Sequence, residues 1–329
     1  MERRDFLKRS IVAFALAVPG NVRATPSLAQ AYPTQPIRLI VPFPAGGAAD
    51  VVARITAKHM SSQLGQQIFI DNRSGAGGTL GTDFAARSTP DGYSLIWHTI
   101  SSAVLNKFLY TRVKLDVAEK FAPISQVGTA VQLLAVNAKL PAQNLRELIA
   151  LLKANPGKYH YGSNGLGGIM HLSGELFGFM TGTEVIHVPY RGEGAATVDL
   201  IAGRIDMMVA SVPAFLSHIR TGELRALCVN ADHRLALLPD VPTAAEAGLP
   251  GYQTYNWHAL FAPLGTPEPI ITRLNEALIK AMDTSEVRTQ LGEIGIEVVL
   301  SNPRGLSTEL KQQSDLWGPL IERSGVKLD

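Results

Sequence analysis

Pro36-Ile37-Arg38-Leu39-Ile40-Val41-Pro42, then Phe43-Pro44-Ala45-Gly46-Gly47, then Ala48-Ala49-Asp50 is the stretch whose reading decides the fold. The first seven residues are a short β-rich apolar run, which reads as a buried strand. Proline and glycine break it. From Ala48 onward the apolar residues Val52, Ile55, Met60 and Leu64 recur at helical spacing until Gly65 ends them. The unit is therefore strand, glycine turn, helix. It repeats at once: Ile68-Phe69-Ile70 as a strand, the turn Gly75-Ala76-Gly77-Gly78, a helix over 79–88 stopped by Pro90-Asp91-Gly92, and a third strand over 93–97. Strands alternating with helices predict a parallel sheet with helices on both faces.

The pattern restarts further along. Helices are expected over 144–153, 169–181 and 195–202, with strands over 159–162, 185–188, 205–210 and 225–229. A strand over 255–262 follows, then amphipathic helices over 267–282 and 303–321 around a strand over 296–300. Two long extended runs, 124–137 and 253–263, flank the middle block. If both link the same two lobes, 32–130 and 253–329 form one discontinuous domain, 131–252 an inserted second one, and a cleft lies between them. The fold class expected is α/β with two lobes, each a mostly parallel sheet flanked by helices, joined by two hinge crossings.

The N-terminus reads as an address. Arg3-Arg4-Asp5-Phe6-Leu7-Lys8 precedes an apolar run, Ile11 to Val18, too short to span a bilayer. A basic start, a short apolar core and the A-x-A site Ala29-Gln30-Ala31 make a signal peptide over 1–31, with Tyr32 as mature start. The paired arginines resemble the twin-arginine export signal. The whole chain of 329 residues carries net charge +2. Residues 1–31 hold five basic and two acidic side chains, so the remainder, with 25 basic and 26 acidic, is nearly neutral. That argues against nucleic acid or an anionic membrane as partner. A single cysteine, Cys228, forbids an internal disulfide and a Cys-cluster metal site, and its apolar run marks it as a buried hydrophobe.

Two loops share the strand, glycine turn, helix design: Pro44 to Asp50, and Ser163-Asn164-Gly165-Leu166-Gly167-Gly168. A helix start leaves free N–H groups and a positive dipole end of about half a charge. Each loop is thus a candidate anion cradle, at the carboxyl ends of parallel strands where ligands bind. Gly75 to Gly81 is a loose dinucleotide-like match, read instead as a helix start. No phosphate-binding P-loop is present, and the Ser163 turn has Tyr161 where a nucleophile elbow needs glycine. His171 and Glu175 share a helix face, as a metal site could begin, but no second histidine is near in sequence. His98 could line the cleft. Asp50 and Asp206 could act as acid and base or serve turns and caps. Arg191 could meet an anion through its fork or sit exposed in a loop.

From Tyr32 to Asp50 the sequence resembles the opening of the Bug-type solute receptors, the binding proteins of tripartite tricarboxylate transporters. Further matches are Asn72-Arg73-Ser74-Gly75-Ala76-Gly77-Gly78, Asp91-Gly92-Tyr93, Tyr161-Gly162-Ser163, Val188-Pro189-Tyr190-Arg191-Gly192, Gly203-Arg204-Ile205-Asp206 and Asp240-Val241-Pro242-Thr243 with Glu246 and Gly248. They span nearly the whole mature chain in order. The resemblance implies a periplasmic-binding-protein fold that closes on a small carboxylate, an organic acid or acidic amino acid, held largely by backbone N–H groups and water. It implies ligand contacts at Phe43, Ala48, Ala49 and Asp50, at Ser163, Gly165 and Gly168, and at Thr99, Ser101 and Ala195, with Arg191 as a further candidate. Many relatives carry Ser or Thr where this chain has Ala49, so one hydroxyl donor is absent. The expected protein is a periplasmic receptor, not an enzyme, with no cofactor and no metal. Its partners would be the membrane components of a tripartite tricarboxylate transporter. The alternatives are an exported serine hydrolase using Ser163, and a ligand sensor feeding a membrane sensor kinase.

Overall fold

The computed structural model describes residues 32–110 and 115–328, so the expected signal peptide lies outside the described residues. The strands are β1 (Ile37–Val41), β2 (Ile68–Asn72), β3 (Ser94–Thr99), β4 (Phe121–Asn137), β5 (His160–Ser163), β6 (Ile186–Pro189), β7 (Met207–Ser211), β8 (Leu224–Val229) and β9 (Tyr255–Pro263). The longer helices are α1 (Ala48–Leu64), α2 (Thr79–Ala86), α3 (Leu145–Ala154), α4 (Ile169–Thr181), α5 (Glu193–Ala202), α6 (Val212–Arg220), α7 (Glu268–Met282), α8 (Ser285–Glu293) and α9 (Pro303–Ser324).

Ile37, Leu39 and Val41 of β1 join one apolar cluster and Ile40 the other, and all four are almost fully buried. A strand buried on both faces needs helix on each side. α1 supplies one layer. Its buried residues Val52, Ala53, Thr56, Ala57, Met60 and Leu64 form a single stripe, which packs with α7. Gly65, with φ 69°, ends α1 and returns its N–H to Ser61.

β1 pairs in parallel with β2 and β3, and β5 pairs in parallel with β6 and β7. The two sets meet through the crossing strands. β4 runs antiparallel to β9 from Phe121 to Val131, then antiparallel to β7 and β8 from Gln132 to Asn137. The order is β2-β1-β3-β9-β4-β7-β5-β6, with β8 on β4. The expected fold class is present: two α/β lobes, with parallel ladders in their outer strands and antiparallel ones where the crossings enter. α9 packs on β4, on the turn after β3 and on α4. Beyond it, Leu328 N–H bonds Leu109 O at 3.0 Å.

The structure differs from the sequence reading at four places. A π-helical turn, Ser101–Leu105, follows β3 directly. α6 begins as β7 ends, with Pro213 in its first turn, where proline costs no hydrogen bond. α8 is short, its start set by Thr284, whose side chain accepts from Val287 N–H. The segment 296–300 is not a strand. It makes one bridge, Thr129 to Glu297, beside a bulge in β4.

That bulge is tightly packed. A Cβ on Gly128 would lie 2.7 Å from Ile296 Cγ2 and 2.9 Å from the Glu297 carbonyl oxygen. Gly128→Ala is expected to destabilise the protein by about 1–3 kcal/mol. Gly292→Ala, where nothing lies within 4 Å, is expected to be neutral or stabilising by up to about 1 kcal/mol. Chemical unfolding of both variants beside the parent checks this pair, and an unchanged midpoint for Gly128→Ala would contradict the packing argument.

Candidate functional site

The two glycine loops share one backbone conformation at their last two residues. Gly46 has φ 81° and Gly167 has φ 73°, both left-handed, where glycine carries no steric cost. The next residues cap the helices: Gly47 at φ −74°, ψ 164° and Gly168 at φ −73°, ψ 163°. Neither start has a side-chain cap. The first N–H groups of α1 and α4 therefore have no intrahelical acceptor. Ala48 is exposed in the first loop, as are Asn164 and Leu166 in the second.

Both loops are clasped from behind by a side chain four residues on. Gly46 N–H donates to Asp50 Oδ2 at 2.8 Å, and Gly167 N–H donates to His171 Nδ1 at 3.1 Å. Asp50 is 2% exposed and takes no part at the surface. It also accepts from Arg54 Nε at 2.8 Å and from Asn72 Nδ2 at 2.9 Å, and Asn72 reaches Phe43 O at 3.1 Å. Burial pushes its pKa up. The Arg54 guanidinium, the Gly46 N–H and the Asn72 amide outweigh that and hold it below the usual carboxylate range.

Ser163 is fully buried. Its Oγ lies 2.9 Å from Gly165 O and 2.7 Å from His187 Nε2, and accepts from Gly165 N–H at 3.1 Å. His187 stacks on His171 with centroids 3.9 Å apart, and Tyr161 stacks on His187 at 4.8 Å. Tyr161 O–H donates to Glu175 Oε1 at 2.6 Å. Burial lowers both histidines to about 4, and for His187 the neighbouring His171 adds to the effect. Both imidazoles are therefore neutral near pH 7.

Sequence order hid the His171–His187 pair, since the two meet only because β6 lies beside β5. Their stacked rings do not converge on one ion, and no metal-binding cluster occurs among the described residues. The hydrolase alternative needs an accessible Ser163 and a carboxylate on its histidine. Ser163 instead faces inward, and among the described residues no carboxylate hydrogen-bonds His187.

The other candidates separate clearly. His98 is fully buried between Phe121 and Phe261 and bonds Ser102 Oγ at 2.9 Å, so it is core, not cleft. Asp206 accepts from His160 N–H at 2.7 Å and ties two strand starts together. Cys228 is buried, its thiol pushed up to about 12 by burial. Thr99 is the last residue of β3, 4% exposed, and Ser101 lies just beyond it at the carboxyl end of the strand. Tyr190 N–H bonds Ser163 O at 3.0 Å, which brings the exposed Arg191 and the start of α5, with Ala195 exposed in its first turn, beside the second loop.

Two α/β lobes, with uncapped helix starts at the carboxyl ends of their strands, define a receptor of the periplasmic-binding-protein class. Residues 52–326 match the family described as tripartite tricarboxylate transporter family receptor, and the chain belongs to that family. Protein BugT of Bordetella pertussis is 38% identical over 320 residues, covering 97% of this chain and 98% of that protein. A Rhodopseudomonas palustris protein solved with adipate is 34% identical with a TM-score of 0.75, covering 89% of this chain and 98% of the other. MatC from Rhodopseudomonas palustris, solved with bound malate, is 32% identical with a TM-score of 0.72, covering 88% of this chain and 100% of the other. These relatives are solute-binding receptors, not enzymes, and receptors of this family are periplasmic.

Removing the clasp of the first loop is the direct test of its role. Asp50→Ala is expected to cost about 3 kcal/mol, the low end for breaking a buried ion pair because Arg54 is half exposed. The folded pKa of Asp50 lies below its unfolded value of about 3.9. Its contribution is therefore full above the unfolded value and lost as pH falls through the folded one. The stability gap between parent and variant should be flat from about pH 5 to 8 and shrink below about pH 4. Unfolding curves across that range measure it, and a gap that widened in acid would refute the assignment.

Proposed function

We propose that this receptor is exported to the periplasm, captures a small carboxylate between its lobes, and delivers it to the membrane components of a tripartite tricarboxylate transporter. The observation that carries this reading is the matched pair of uncapped glycine-loop helix starts, with Gly46-Gly47 and Gly167-Gly168 in one conformation. Each start offers backbone N–H donors and a positive dipole end to an anion. Relatives solved with adipate and malate support a carboxylate as the ligand.

In this reading the ligand meets backbone at Phe43, Ala48, Ala49, Gly168 and Ala195, and hydroxyls at Thr99 and Ser101, while Gly165, whose N–H is held by Ser163 Oγ at 3.1 Å, shapes the loop. Arg191, exposed and without an ion-pair partner among the described residues, adds a cation beside the second loop. Asp50 and Ser163 act indirectly, by holding the loops. The lobes are 32–130 with 253–329, and 131–252. They close by bending at β4 and β9. Residues 1–31 serve as a twin-arginine signal peptide, and the mature chain starts at Tyr32.

A thermal-shift screen of mono-, di- and tricarboxylates and acidic amino acids identifies the ligand, and calorimetric titration then measures it. Gly168→Val and Ala48→Asp are each expected to abolish binding while circular dichroism stays native. At Gly168 the backbone φ of −73° suits any residue, but the new Cβ lies 3.0 Å from Asn164 Oδ1, so the branched side chain crowds the loop mouth. At Ala48 an added carboxylate repels the ligand across a poorly screened cleft. Near-normal affinity in both variants would remove the loops from the site.

A further inference from the structure

We infer that His171 is the positioning residue of the second loop, performing with a neutral imidazole the task that Asp50 performs with a carboxylate in the first. The inference rests on the carboxylate reading of the two loops and says how one of them is kept open to the ligand.

The geometry is the same in both lobes. The left-handed glycine, the cap glycine and the third helical residue follow in that order, and the third helical residue accepts the N–H of the left-handed glycine, at 2.8 Å from Gly46 and 3.1 Å from Gly167. An N–H group only donates, so His171 Nδ1 carries no proton and its hydrogen sits on Nε2. Nε2 faces Glu175 Oε1 at 3.8 Å. The ring is fixed by its stack on His187, itself bonded to Ser163 Oγ, which holds Gly165 N–H. The imidazole pair thus ties down the alternate amides Gly165 and Gly167. The amides of Leu166 and Gly168 between and after them have no protein acceptor among the described residues. A loop with every second amide pinned inward presents the others outward in a fixed direction.

The choice of acceptor follows from charge. In the first loop Arg54 neutralises Asp50 at 2.8 Å. Among the described residues no cation pairs with position 171 of the second loop, and Glu175 already stands behind it. A second carboxylate at position 171 would oppose the anion the loop is built to hold. A neutral imidazole supplies the acceptor without the charge.

The test compares His171→Phe with His171→Asn. Phenylalanine keeps the stack on His187 but removes the acceptor. Asparagine restores an acceptor with the reach that Asp50 uses, and no charge. With the best acid from the screen, His171→Phe is expected to lose affinity roughly tenfold, the scale of one net hydrogen bond. His171→Asn is expected to stay within about threefold of the parent. In ligand-free protein labelled with 15N-glycine, the Gly167 amide should exchange slowly in the parent and in His171→Asn, and fast in His171→Phe. Parent-like affinity and exchange in His171→Phe would overturn the inference. So would equal loss in both variants, which would assign the effect to the ring and not to the acceptor. If His171→Phe fails to fold, His171→Asn alone decides: retained affinity and Gly167 protection support the inference, and loss of either overturns it. If the parent binds no acid at all, the receptor reading fails separately, and Gly167 exchange still decides whether the clasp exists.

Discussion

The antiparallel ladder between β4 and β9 is the constraint on which the two-lobed arrangement depends. Both crossings between the lobes are strands, and they are hydrogen-bonded to each other along Phe121–Pro263 through Val131–Tyr255. Two separate linkers could swing independently. A two-stranded ribbon bends and twists as one body, so the closure proposed above would have a single axis. The ladder of that ribbon is interrupted at the bulges Pro123/Ser125 and Gln126/Gly128. β4 then continues as one strand into its pairing with β7 and β8.

In the proposed reading the recognition surfaces use little side-chain chemistry. Ala48, Ala49 and Gly168 bring nothing but backbone, and the polar side chains nearest them, Asp50, Ser163 and His171, are turned inward to hold the loops. This division separates affinity from selectivity. Amides at a helix start donate to any carboxylate, so in that reading discrimination between acids falls to the shape of the cleft and to side chains such as Thr99, Ser101, Leu166 and Arg191. A family that keeps one fold while its members take adipate or malate is compatible with that economy.

Much of this was legible in the sequence. α1 and α4 begin and end at the residues expected, because glycines bracket both helices and apolar spacing fills them. The loops could be singled out because strand, glycine turn and helix occur twice. Their clasps could not. The tie from Gly167 to His171 depends on the backbone angles of the loop, and the stack of His171 on His187 depends on which strands are neighbours. The segment 296–300 has the composition of a strand, yet only Glu297 pairs, because composition carries no information on partners. His98 looked available at a strand end, and the turn of the chain into Ser101–Leu105 buried it instead.

The C-terminal tail also has a bearing on the second loop. A Cβ on Gly167 would lie 2.7 Å from Leu328 Cδ1 and 3.1 Å from Leu109 Cδ1. Leu328 is therefore part of the wall against which the loop rests. Leu109 and Leu328, more than two hundred residues apart in the chain, thus meet behind one glycine and set how far the Gly167 turn can retreat.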